Sequence, residues 1–111
     1  MPHAQTTMNT NRPHEPERAE IDATRGAILL EFGASWCGYC QAAAPLIAQA
    51  LTQHPQIRHL RIEDGRGKRL GRSFNIKLWP TLIALRDGEE IGRLVRPSQH
   101  QEIRELLALL E

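Results

Sequence analysis

The chain reads as a single α/β domain built on a mixed sheet, and three observations lead there. Strand-like and helical stretches alternate from residue 27 to residue 62, the order that makes a right-handed parallel crossover. Asp87-Gly88 separates two strand-like runs, 81–86 and 89–95, and so predicts an antiparallel hairpin. Near the end Ile103, Leu106, Leu107 and Leu110 repeat at helical spacing, which predicts an amphipathic helix laid on the sheet. The 111 residues suit one domain, and no internal repeat or linker divides them.

Residues 1–15 are mostly Pro, Thr, Asn, Gln and His with little to bury, and are expected to form a disordered tail before a domain of residues 16–111. Residues 16–23 favour a short helix, with proline in its first turn and only Ile21 to anchor it. Arg25-Gly26 turns the chain into a strand over 27–33, apolar throughout except at Glu31. The alanine-rich stretch 41–51 is helical in propensity and sets Leu46, Ile47, Ala50 and Leu51 on one face. Pro45, one turn inside it, removes a backbone donor and predicts a kink. Residues 57–62 follow that helix as a strand. Leu70 and Phe74, four apart, mark the buried face of a further short helix. The cations around it, Arg66, Lys68, Arg69 and Arg72, read as a solvated face, with contact to an anionic partner as the alternative. Asp87-Gly88 supplies the positive φ angles of a type I′ turn, and Ser98 with Gln101 reads as the capping box of the last helix.

Charge and hydropathy exclude whole classes of function. Fourteen Lys and Arg against thirteen Asp and Glu leave a net charge of +1, which makes no long-range field for nucleic acid or an acidic membrane. The longest apolar runs, 27–30 and 42–48, are too short to span a bilayer. Residues 1–8 lack a cationic start followed by an apolar core, so no signal peptide is expected and the cytoplasm is the default compartment. There a CxxC pair is catalytic more often than structural.

That pair is Cys37-Gly38-Tyr39-Cys40, the two cysteines of the chain, placed where the strand runs into the helix. A helix N-terminus offers unpaired N–H groups and the positive end of the dipole, which favour thiolate over thiol. Gly38 lets the turn be tight and leaves room for another chain near Cys37. Structural zinc needs four ligands, whereas His3, His14, His54, His59 and His100 are scattered without ligand spacing, so no metal is expected. A structural disulfide across so short a loop contributes only about 2 kcal/mol before strain. Redox chemistry is the reading that remains strongest.

Several further residues at fixed spacing make the chain resemble the thioredoxin family of thiol–disulfide oxidoreductases. They are Glu31-Phe32 ending the buried strand, Trp36 before the first cysteine, Pro45 five residues after the second, Pro80-Thr81 opening the third strand, and the Asp87-Gly88 hairpin. The resemblance runs from about residue 26 to the C-terminus. It implies a thioredoxin-like α/β fold: a four-stranded mixed sheet in the order 2-1-3-4, helices on both faces, and the family's first strand missing. It also implies that Cys37 is the exposed attacking thiol, Cys40 the buried resolving one, and Trp79-Pro80 a cis peptide whose backbone receives an extended substrate. Glu31 either reaches solvent near the strand end or lies buried beneath the cysteines. In the second case desolvation raises its pKa and it can trade a proton with Cys40. Trp36, Gly38, Tyr39, Trp79, Pro80, Thr81 and Arg96 would then form the substrate surface. Trp79 stands where a smaller aliphatic residue is usual, as a flat substrate contact or a core residue. Arg96 stands where the family usually carries glycine, either pointing to solvent, lowering the Cys37 pKa or selecting acidic partners. The implied partners are protein disulfides and a reductase or low-molecular-weight thiol as electron donor, for a monomer without cofactor. Two other readings compete: an oxidant or isomerase of an oxidising compartment, and a binding module without catalysis.

Overall fold

The computed structural model describes residues 15–111. Eight elements follow in order: α1 (Arg18–Ala23), β1 (Ala27–Gly33), α2 (Gly38–Leu51), β2 (Arg58–Glu63), α3 (Arg69–Ser73), β3 (Thr81–Arg86), β4 (Glu89–Val95) and α4 (His100–Ala108). The strands form one mixed sheet in the order β2-β1-β3-β4. β1 pairs parallel with β2, setting Glu31 opposite Arg61, and antiparallel with β3, setting Glu31 opposite Leu82. β1 and β3 are covered on both faces, which is why they read as nearly continuous apolar runs. β2 and β4 lie at the edges and carry the charges.

Alternate side chains of β1 feed two cores. Leu29, with Leu82 and Ala84 of β3, packs under Ala43, Ile47 and Ala50 of α2 and under Ile103 and Leu107 of α4. Ile28, Leu30 and Phe32 face the other way, against Ile21 of α1 and Leu70 and Phe74 at α3. Glu31 belongs to the first side, on the face of Leu29, and that places it under the start of α2.

The β3–β4 turn has Asp87 at φ 52° and Gly88 at φ 84°, the left-handed pair that a type I′ turn requires. Asp87 Oδ1 accepts the Gly26 N–H at 2.8 Å, and a Cβ at Gly88 would meet the Asp22 carbonyl oxygen at 2.1 Å. The turn is thus seated against the end of α1, and the residue there must be glycine for two separate reasons.

Several local expectations need correction. α1 is held by more than Ile21: Arg18 Nη1 donates to the Ser73 carbonyl at 2.7 Å and its guanidinium lies 3.8 Å over the Phe74 ring. α4 is capped by Gln99 and Glu102 rather than by Ser98 and Gln101. Glu102 Oε1 accepts the N–H groups of both Ser98 and Gln99, so a carboxylate takes the place assigned to an amide. α2 contains Pro45, and its buried stripe is Cys40, Ala43, Ile47 and Ala50, with the expected Leu46 and Leu51 only partly covered. Residues 1–14 of the expected tail lie outside the described residues, and Glu15 Oε2 accepts the Arg69 N–H. No helix among the described residues is long and apolar enough to cross a membrane.

Candidate active site

β1 ends at Gly33, and four residues later the chain enters α2 with Cys37 as its N-cap. Cys37 has extended backbone angles, and its Sγ accepts the N–H of Cys40 at 3.2 Å, the bond that a serine or aspartate makes at an ordinary helix start. Burial pushes the Cys37 thiol up, but the hydrogen bonds from the Cys40 thiol and from the N–H groups of Cys40 and Tyr39 outweigh it. With the charge of Arg96 added, Cys37 is held below the ordinary value of 9.0. Cys40 sits one turn later on the inner face of α2. Burial, the hydrogen bond with Cys37 and the charges of Cys37 and Glu31 push it up to about 11. Both cysteines are free thiols.

The expectation of an exposed attacking thiol and a buried resolving one does not hold in those terms, because Cys37 and Cys40 are each 7% exposed. They differ in what they face. Cys37 lines a surface cavity of about 400 Å³ with Trp36, Tyr39, Trp79 and Arg96. Cys40 lines a separate polar cavity of about 240 Å³ with Glu31, Arg61 and Glu63. Gly33 makes room for the second thiol: a Cβ there would lie 2.7 Å from Cys40 Sγ.

Glu31 is buried, 5% exposed, so the reading in which it reaches solvent is excluded. It is not an isolated acid. Its Oε1 shares a 2.7 Å hydrogen bond with His59 Nε2, and Arg61 Nε stands 3.8 Å away. A buried carboxylate is expensive unless paired, and the two β2 side chains on this face supply the pairing. Sequence reasoning missed both. The signal was present, since His59 and Arg61 alternate with the buried Leu60 and Ile62 and thereby share one face.

Trp79-Pro80 is a cis peptide. The Trp79 indole is half-buried, meets Trp36 edge-on with ring centroids 5.4 Å apart, and donates from Nε1 to Asp64 Oδ2 at 2.9 Å. It is therefore both a wall of the cavity and a packed residue, fixed by an aspartate that sequence reasoning did not single out. Trp36 is 72% exposed and Tyr39 60%. One other expected surface residue is corrected. Thr81 is buried and donates from Oγ1 to the Leu78 carbonyl at 2.7 Å, so it braces the loop from within. Gly38 needs no glycine-only backbone angle, being the first residue of α2, although a Cβ there would meet nothing within 4 Å and the approach to Cys37 is open.

Arg96 does not point freely into solvent. Its φ is 52°, a left-handed conformation that costs a residue with a Cβ about 1–2 kcal/mol. Three contacts hold it: its N–H donates to the Pro80 carbonyl at 2.8 Å, its Nε to the Trp79 carbonyl at 2.8 Å, and its guanidinium lies 3.9 Å over the Tyr39 ring. The polar and aromatic contacts together offset the backbone strain.

A low thiol at a helix start, a high thiol one turn on and a paired acid behind it form a set able to break and remake a disulfide. Comparison with known proteins agrees. The family model described as Thioredoxin matches residues 11–108. The solved structure of thioredoxin 2 from Pseudomonas aeruginosa PAO1 in its reduced form superposes with a TM-score of 0.81 at 48% identity, covering 89% of this chain and 92% of that one. A Thioredoxin H-type of Populus jackii is 32% identical over 103 residues, 90% of this chain and 74% of that protein. Thioredoxin H-type 1 of Nicotiana tabacum is 29% identical over 72 residues, 65% of this chain; the match spans 57% of that relative's length.

Proposed function

Because the chain belongs to the thioredoxin family of thiol–disulfide oxidoreductases, we propose that it reduces protein disulfides by exchange through Cys37 and Cys40. The Cys37 thiolate attacks one sulfur of the substrate disulfide. A Cys37–substrate bond forms, the substrate S–S bond breaks, and the second substrate sulfur leaves as thiolate and takes up a proton. Cys40 then loses its proton and attacks Cys37 Sγ. The Cys37–Cys40 disulfide forms, the substrate leaves with both sulfurs reduced, and two electrons have passed to it. The observation that carries this reading is the hydrogen bond from Cys40 N–H to Cys37 Sγ, which makes the attacking sulfur the helix cap and keeps the resolving one within a turn.

The second step needs a base for a thiol pushed up to about 11. Glu31 lines the same polar cavity as Cys40, and its partner His59 stands on the edge strand. We assign Glu31 the proton transfer, through water in that cavity, with His59 and Arg61 positioning it. Trp36, Tyr39 and Trp79 make the substrate surface, with the Trp79 backbone receiving an extended segment as an added strand. The protein acts as a cytoplasmic monomer in redox homeostasis, recharged by a reductase or a low-molecular-weight thiol.

Insulin reduction in dithiothreitol tests this directly. The protein should hasten precipitation of the insulin B chain, Cys37→Ser should not, and reduced Cys40→Ser, freed of dithiothreitol before mixing with insulin, should accumulate a stable mixed disulfide. Precipitation no faster than with dithiothreitol alone would remove the catalytic role. The potential of the Cys37/Cys40 couple against glutathione then separates a reductant from an oxidant or isomerase.

A further inference from the structure

We propose that Arg96, on the redox reading above, is a specificity-determining residue that selects disulfides flanked by acidic side chains. The cavity beside Cys37 is lined by two cations, Lys77 and Arg96, and by no carboxylate. That imbalance is local, because the whole chain carries a net charge of only +1. Among the described residues Arg96 takes part in no ion pair, in contrast to Arg18, Arg61 and Arg93, which all have carboxylate partners.

Arg96 is also held in place rather than left to wander. Its Nε is bonded to the Trp79 carbonyl and its plane is stacked on Tyr39, which leaves the two Nη groups as the donors not used by that bond. A guanidinium with a paired Nε and a supported plane is preorganised for a carboxylate, since little conformational freedom remains to be lost on binding. The same bond uses one of the two lone pairs of the carbonyl that an incoming strand would use as acceptor, so Arg96 stands beside any strand received there. A carboxylate next to the attacked cysteine then meets its Nη groups. The surrounding apolar surface, Trp36, Tyr39, Leu78 and Val95, is exposed and suits an extended polypeptide rather than a small charged disulfide.

The test uses the full-length protein and two peptides, each with one internal disulfide, differing only in Glu or Gln on both sides of the first cysteine. The wild-type protein should reduce the Glu peptide with kcat/KM about tenfold higher, the worth of one charge-assisted hydrogen bond. Raising the salt concentration should shrink that ratio in the wild type. Arg96→Gln should bring the ratio close to one, and Arg96→Lys, which keeps the charge and loses the fork, should retain part of it. Equal rates with the wild type, or a preference that survives Arg96→Gln, would overturn the selection while leaving the redox reading intact. No turnover of either peptide by the wild type would overturn the redox reading itself.

Discussion

The surroundings of Cys37 and those of Cys40 make an instructive pair. The two thiols are the same chemical group, three residues apart, and each is 7% exposed, yet one is held below 9.0 and the other pushed up to about 11. Exposure therefore does not explain the division of labour. Cys37 is desolvated too, but N–H donors and a guanidinium face it. Cys40 is desolvated with its N–H turned to a neighbour, and the charges nearest it are negative. Burial raises both thiols and is the largest cause at each; donors and a guanidinium outweigh it at Cys37, whereas the contact with Cys37 and the negative charges add to it at Cys40.

The largest effect that would break this comparison is on the Cys40 side. Glu31→Gln should slow disulfide resolution by about a hundredfold, the lower end of what a positioned proton acceptor contributes, and leave mixed-disulfide formation nearly unchanged. Stopped-flow with a chromogenic disulfide resolves the two steps, and equal slowing of both would remove the proposed role. Next comes reactivity of the reduced protein with iodoacetamide. With values below 9.0 and at about 11, the thiolate populations differ more than a hundredfold at neutral pH. The weaker nucleophilicity of the more acidic thiolate returns about tenfold of that, so Cys37 should still be alkylated at least about tenfold faster. Cys37 reactivity should climb with pH and level off first, while Cys40 keeps climbing toward pH 11; superimposable profiles would refute the asymmetry. The smallest effect sharpens the boundary between the sites. Gly33→Ala places a methyl against Cys40 Sγ, and rotation of the thiol should limit the loss to about 1 kcal/mol. Denaturant unfolding of the reduced protein measures it, and an unchanged midpoint would mean that the thiol has free space behind it.

What could be read from the residues was what is local. The strand into Cys37, the CxxC at a helix start and the Asp87-Gly88 turn are each encoded within a few positions, and each formed as expected. The order of strands came from the family resemblance, and the sheet has it. The partners of Glu31 were hidden because they depend on the parallel register of β1 with β2, which joins residues 28 positions apart. Asp64 was overlooked for the same reason: its bond to the Trp79 indole crosses from the end of one strand to the approach of another. Thr81 was placed on the substrate surface because it opens the strand beside the site, whereas β3 is covered on both faces from its first residue. The capping of α4 failed on a finer point. Ser98 satisfies the motif, but Glu102 lies where one carboxylate oxygen reaches two N–H groups.

The sulfur that closes the first turn of α2 binds folding and electron transfer into one equilibrium. When Cys37 is a thiolate it serves as an anionic helix cap, and when it enters a disulfide that negative charge is gone. Any change that makes the helix start more dependent on its anion therefore favours the dithiol and makes the protein a keener oxidant. Any change that satisfies those N–H groups by other means makes it a stronger reductant. Substitutions in the first turn of α2, with no contact to a partner at all, should move the midpoint potential and the reduced protein's unfolding temperature together.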